Sequence, residues 1–184
     1  MQIFLDTPLN FYPSQSIVVP KSKGLITADK SDLKAFWDEA NREFGEDLSE
    51  AIGCYIFSIR AGKGVKPWYV GLAQKQTFRK ECFTDHKLKH YNYAIAGRKG
   101  TPLLTLIVKR TPGGKLIAPS SKKHSDIEFL ENMLIGNCLS RNDELSNVRD
   151  TKLLKEMIVP GLFNTPQGKQ SSQVIEFREL IGTA

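Results

Sequence analysis

Cysteine is scarce in this chain: 3 among 184 residues, at Cys54, Cys82 and Cys138, an odd number with no Cys-x-x-Cys spacing. That pattern excludes a disulfide framework or a zinc knuckle as the organising device. Long apolar runs are missing too, and none approaches the ~18 residues that suggest a membrane span. The opening Met1-Gln2-Ile3-Phe4-Leu5-Asp6 has neither a basic lead nor an extended apolar stretch. A secretory signal is therefore not expected, and a reducing cytoplasm is the expected compartment. Histidine is rare as well, and His86 and His90, although spaced i and i+4 like many metal ligands, have no third ligand in view.

The most informative scarcity is of acid in the middle of the chain. From Arg60 to His124, fifteen lysines and arginines stand against only Glu81 and Asp85, while the whole chain carries a formal charge of +6. The flanks are therefore net acidic. Trp68, Tyr69, Tyr91 and Tyr93 are interleaved with the cations, which is the electrostatic footprint of a polyphosphate partner, with DNA the first candidate. Lys75, Lys80, Lys87, Arg98 and Lys99 are the candidate nucleic-acid contacts. The plainer alternative is a solvated basic face that aids solubility.

What is present suits one hydrophobic core. Hydrophobic residues at 40% and charged residues at 25% exclude wholesale disorder, and 184 residues are few for two full cores. Residues 1–50 read as an extension holding a short β-rich stretch near Ser16-Ile17-Val18-Val19 and a helix from Asp32 to Phe44, ended by Gly45. Cys54 to Ile59, the glycine-bearing turn at 60–64 and the return through Trp68 to Gly71 read as a β-hairpin. Tyr55 and Tyr69 share a sheet face in any register with an even residue sum. A basic helix over about 74–89 places Arg79, Phe83, His86 and His90 on one face. Leu103 to Val108 reads as a strand, followed by a type II turn at Thr111-Pro112-Gly113-Gly114. Ser125 and Glu128 form a capping box that opens the next helix. Shorter helices are expected over 152–158 and 173–181.

Glu131 is the anomaly. In Ile127-Glu128-Phe129-Leu130-Glu131-Asn132-Met133-Leu134-Ile135 it follows Ile127 by four and precedes Leu134 and Ile135 by three and four, on the helix's apolar stripe. An unpaired charge there costs several kcal/mol, roughly, so a cation has to meet it. The candidates are a metal ion or an arginine from another element, with Arg79 the preferred arginine.

Gly53-Cys54-Tyr55, Tyr69-Val70-Gly71 after thirteen intervening residues, Arg79 on the following helix and Glu131 in a Leu-Glu-Asn-Met-Leu-Ile helix together resemble the GIY-YIG nuclease superfamily. Glu131's helix is especially similar to the matching segment of the amino-terminal incision domain in bacterial nucleotide excision repair. The resemblance covers residues 52–148, about half the chain. It implies an α+β fold, a small central antiparallel β-sheet flanked by helices, with a core at 51–148 and extensions at 1–50 and 149–184. It also implies hydrolysis of phosphodiesters in DNA with Mg2+ or Mn2+. Glu131 would hold the metal, Arg79 would meet the non-bridging oxygens, and Tyr55 would orient or deprotonate the attacking water. Tyr69 would bind water or phosphate, Gly71 would permit close approach, and Asn147 would help close the fold. Phe83 stands where some members carry histidine, so His86 is the candidate substitute. Cys54 reads as core, and Trp68 as packing or as a base-stacking surface.

Three function classes follow: a metal-dependent endonuclease, a nucleic-acid-binding module of the same fold with lapsed catalysis, and an interaction domain without nucleic acid. No second recognition domain is evident. Strong sequence specificity would come from the terminal extensions or from self-association, a homodimer being the simplest form.

Overall fold

The computed structural model describes residues 10–147, 151, 156–162 and 165–182. Strands β1 (Asn10–Pro13) and β2 (Ile17–Val18) precede helix α1 (Lys30–Phe44) and a single tight turn at Leu48–Glu50. Then come β3 (Gly53–Ala61), β4 (Gly64–Ala73), α2 (Phe78–Glu81), α3 (Asp85–Ile95), β5 (Thr101–Arg110), α4 (Ser125–Arg141) and, near the carboxyl end, α5 (Ser172–Ile181). The strands form one antiparallel five-stranded sheet in the order β1, β5, β3, β4, with β2 also pairing β5. The fold is α+β, a small antiparallel sheet flanked by helices.

The β3–β4 hairpin sets the geometry of everything that follows. Tyr55 pairs with Gly71 and Phe57 with Tyr69, an even register, so Tyr55 and Tyr69 do share a face. Alternation then sorts the sheet into two cores. On one face Tyr55, Phe57, Tyr69, Leu104 and Leu106 pack against Phe36 and Trp37 of α1 and against Phe78, Cys82, Phe83 and Tyr91 around α2 and α3. On the other, Ile52, Cys54, Val70 and Ile107 pack against Ile127, Ile135 and Cys138 of α4. Cys54 is core as expected, donating its thiol to the Ile127 carbonyl at 3.4 Å. All three cysteines are free and buried.

The amino-terminal strands are structural parts of the sheet. β1 pairs with the last residues of β5, a strand that the sequence patterning did not reveal. α1 matches its expected span closely, its first turn held by the Asp29 carboxylate accepting from the Ser31 and Asp32 amides and its end by Gly45 at positive φ. β5 and α5 lie where expected. The helix expected over 152–158 falls mostly on 152–155, outside the described residues.

Three expectations need correction. The single helix over 74–89 is two short ones, because Thr84, at φ −67° and ψ 157°, turns the chain out of helix between α2 and α3. The capping box is absent: α4 begins after His124 without a side-chain cap, and the Glu128 carboxylate instead accepts from Gln74 Nε2 at 3.1 Å and pairs with Lys123 at 3.2 Å. In the turn at 111–114 the positive φ belongs to Gly114 and not to Gly113, so it is not type II.

Beta-strand edges carry unpaired backbone groups, and β4 is an outer strand. The segment after α4 covers it. Asn147 accepts from the Val70 amide at 2.8 Å and donates to the Val70 carbonyl at 2.7 Å, replacing a neighbouring strand at that residue. Ser146 donates through its amide to the Trp68 carbonyl at 2.9 Å, and Asn142 Nδ2 donates to the Pro67 carbonyl at 2.7 Å. Asn147 thus closes the fold, as the resemblance implied.

Candidate active site

Because α3 lies over one face of β4 and α4 over the other, their side chains meet around the strand's outer edge. A cleft of about 470 Å³ opens there. Tyr69, Glu81, His86, Lys87 and His90 line it from the α3 side, Glu128, Glu131, Asn132 and Ile135 from α4, and Leu72, Gln74 and Asn147 from between. Tyr69, Glu131 and His86, three of the five expected catalytic residues, are therefore together. Tyr55 and Arg79 are not among the lining residues.

Tyr69 is the chemical centre of the cleft. Its hydroxyl accepts a hydrogen bond from the Lys87 ammonium at 2.7 Å, and Lys87 also pairs with Glu81 at 3.4 Å. Gln76 donates to the other Glu81 oxygen at 3.0 Å, fixing that carboxylate. Burial raises the Tyr69 phenol above its ordinary pKa; Lys87 opposes the rise through its hydrogen bond and charge, and the nearby Glu131 carboxylate adds to it. Lys87 in turn loses by burial but gains more from the Tyr69 hydroxyl and Glu81, so its ammonium is held charged. A hydroxyl gripped by a buried ammonium can carry negative charge more easily than the same hydroxyl in an apolar pocket.

The histidines form a chain beside this pair. Ser146 Oγ donates to the Trp68 carbonyl at 3.0 Å, so it accepts from His90 Nδ1 at 3.2 Å. His90 Nε2 is then an acceptor, and His86 Nε2, 3.3 Å away, must donate to it. The proton on His86 Nε2 is committed to His90, leaving Nδ1 as the acceptor nitrogen of the His86 ring. His90 stacks on Tyr69 with ring centroids 4.6 Å apart. Burial, then the charges of His86 and Lys87, lower the His90 pKa, favouring the neutral ring this chain requires.

Tyr55 is a correction. It is 0% exposed, and its ring crosses over Gly71, where even a methyl group would collide with it. The hydroxyls of Tyr55 and Tyr91 are buried without a partner of good hydrogen-bond geometry among the described residues, although Tyr55 lies near enough to work against the rise in Tyr91's pKa. Burial, followed by Tyr91, Cys82, Tyr69 and Glu81, pushes the Tyr55 phenol well above its usual range. No cation lowers it, so activation of a water by Tyr55 lacks its physical precondition.

Arg79 is the second correction. Its Nε donates to Glu50 at 3.0 Å and its Nη2 to Ser49 at 2.6 Å, in a corner made by α2 and the turn at Leu48–Glu50. The break at Thr84 turns α2 relative to α3, so Arg79 and the histidines do not share a face. Phe83 is buried in the aromatic core. Glu131 is half-buried on the cleft wall, not lodged in the apolar stripe.

Among the expected nucleic-acid contacts, Lys87 lines the cleft, while Lys75, Lys80 and Lys99 are exposed elsewhere. Arg98 is occupied: it lies 4.2 Å over the Trp68 ring, pairs with Glu144 at 3.2 Å and donates to the Tyr93 and Ala94 carbonyls at the end of α3. Trp68, 3% exposed beneath Arg98 and Lys66, is packing and offers no face to a base. Burial raises the Cys54, Cys82 and Cys138 thiols, which removes them from nucleophilic chemistry. Glu81 and His90 were not anticipated as site residues. Glu81 carried a usable signal, being one of two acids in the basic segment.

On the α4 wall the cleft is lined by Glu128, Glu131 and Asn132, and the Glu128 carboxylate is engaged by Gln74 and Lys123. Among the described residues there is no group of three or more His, Cys, Asp or Glu side chains arranged to hold a metal. No helix among them is long and apolar enough to cross a membrane. The chain matches no protein-family model, no curated protein and no solved structure.

Proposed function

We propose that the cleft at the β4 edge hydrolyses phosphodiester bonds in DNA with a divalent metal, Mg2+ or Mn2+, as a GIY-YIG-like endonuclease. The observation that carries this reading is the Lys87–Tyr69 contact at 2.7 Å in a cleft that Glu131 also lines. A phenol oxygen held by an ammonium is equipped to orient a water and, once ionised, to take its proton, and a carboxylate lining the same cleft is equipped to hold a cation. The metal, held by Glu131, would supply Lewis-acid stabilisation of charge on the phosphate. Tyr69 takes the role of proton acceptor or water orienter first given to Tyr55, Lys87 stabilises its ionised form, and Glu81 positions Lys87. Further support comes from the basic central segment and from the order and spacing of Tyr55, Tyr69, Gly71 and Glu131 that resemble the family.

A second reading, a nucleic-acid-binding module without catalysis, draws on one observation: the Arg79 guanidinium is engaged by Glu50 and Ser49. Plasmid nicking separates the two. Purified protein with Mg2+ should nick supercoiled DNA, chelator should stop it, and Glu131→Gln should lower the rate at least ~100-fold while DNA binding persists. Salt-sensitive binding without nicking by the unaltered protein would favour the second reading, and nicking undiminished by Glu131→Gln would overturn the first.

A further inference from the structure

A second cavity, about 480 Å³, lies beyond the Gln74 wall of the cleft, lined by Lys75, Pro119, Ser120 and Ser121. Its lining is one cation, two hydroxyl groups and a single proline. Among the described residues no acid lines it, and a lysine beside two hydroxyl groups suits an anion better than a cation.

The chemistry beneath Ser120 orients its hydroxyl. Lys109 and Asp126, both 12% exposed, form an ion pair at 2.6 Å. Asp126 Oδ2 nonetheless has no hydrogen-bond partner of good geometry among the described residues, so the contact is an ion pair and not a well-aligned bond. Lys109 Nζ also lies 3.1 Å from His124 Nδ1. An ammonium only donates, so Nδ1 accepts and the ring proton sits on Nε2. Nε2 therefore donates to Ser120 Oγ, 3.1 Å away. With one lone pair of Ser120 Oγ filled by that donation, the Ser120 O–H is left to donate away from the histidine.

Hydrogen bonds connect the segments that line the two cavities. The His124 amide donates to Gln74 Oε1 at 3.2 Å, and Gln74 Nε2 donates to Glu128 Oε1 at 3.1 Å. Gln74 and Glu128 line the first cleft, whereas Lys75, the next residue along the chain, lines the second cavity. The loop between is anchored at its start, where the Ile52 amide donates to the Ile117 carbonyl at 3.2 Å.

We propose that Ser120, Ser121 and Lys75 form a second phosphate subsite, which holds a backbone phosphate of the same nucleic-acid strand whose scissile phosphate lies in the Tyr69–Glu131 cleft. The proposal rests on the cleft reading and adds to it the direction in which the strand leaves the site. Donated hydroxyl groups and a lysine make a phosphate contact that positions without reading sequence.

The test is fluorescence anisotropy with a labelled 12-nucleotide single strand, in chelator so that no cleavage occurs. The combined Lys75→Ala and Ser120→Ala variant should bind about tenfold more weakly. Its slope of log K against log salt should be shallower by about 0.7, one phosphate contact fewer on a single strand. Lys75→Arg should bind like the unaltered protein. Inorganic phosphate at matched ionic strength should not displace the strand. Unchanged affinity in the combined variant, with the unaltered protein still binding, overturns the subsite and leaves the cleft reading standing. Failure of the unaltered protein to bind the strand overturns the subsite, and plasmid nicking decides the cleft reading separately. Displacement by inorganic phosphate assigns the cavity to the free ion and overturns its role in strand binding.

Discussion

Two corners of the molecule are built from the same kinds of group. At one, the Arg79 guanidinium lies between the Glu50 carboxylate and the Ser49 hydroxyl; at the other, the Lys87 ammonium lies between the Glu81 carboxylate and the Tyr69 hydroxyl. Their surroundings differ. The Arg79 and Glu50 side chains are 42% and 54% exposed, those of Lys87 and Glu81 only 13% and 20%. Water screens the Arg79–Glu50 pair, which ties α2 to a turn. The second set is largely desolvated on a cleft wall, where a fixed charge acts on its neighbour's proton affinity. Burial at a cavity, rather than the choice of residues, separates a surface tie from the set proposed as a reactive centre.

The comparison breaks most visibly at the hydroxyl groups. Tyr69→Phe keeps the ring stacked on His90 and removes only the hydroxyl, so nicking should fall about 10²- to 10⁴-fold, measured on plasmid with thermal melting as the folding control. Ser49→Ala should leave nicking within about threefold, because the Ser49 hydroxyl, although buried, is outside the cleft lining. Equal losses in the two variants would show that the corners were wrongly ranked.

Replacing the cation sharpens it next. Lys87→Met should lower kcat/KM about 10- to 100-fold and move the rising alkaline limb of the pH profile upward. The sign follows from the opposing influences on Tyr69: burial raises its pKa and Lys87 lowers it, so removing Lys87 leaves burial unopposed and ionisation waits for higher pH. A limb that stays in place would mean that Tyr69 does not ionise in the reaction.

Gly71→Ala tests the scaffold between the corners. The added methyl meets the buried Tyr55 ring, and overpacking of this kind costs about 1–3 kcal/mol, to be read as a lower denaturant midpoint. Arg79→Ala should do least, at most ~1 kcal/mol because both partners are well exposed, with nicking within about threefold. A hundredfold loss of nicking in Arg79→Ala would restore the catalytic role the resemblance assigns to it.

These contrasts also mark what sequence can carry. The hairpin was legible because Tyr55, Phe57 and Tyr69 alternate strictly and the turn residues Gly62 and Gly64 punctuate them. That Glu131 and Tyr69 would come together in one cleft was legible because motif order survives folding. The direction of Arg79 was not, since it depends on the backbone at Thr84 leaving helix, and Thr84-Asp85 within a helix-like pattern gives only a weak start signal. β1 was hidden for a related reason: an edge strand of four residues ending in Pro13 has too little alternation to register. The burial of Tyr55 depended on its pairing opposite Gly71, a register no local pattern determines. Lys87 could be counted as a cation, but its contact with Tyr69 exists only once α3 lies across β4.

Manganese titration followed by amide NMR tests the cleft most directly, because the paramagnetic ion broadens only the resonances near it. The expected result is selective broadening of Leu72, Lys87, Glu128, Glu131 and Asn132 that disappears in Glu131→Gln. Broadening centred on Ser49, Glu50 and Arg79, or broadening that survives loss of the Glu131 carboxylate, would contradict a metal-dependent site at the edge of β4.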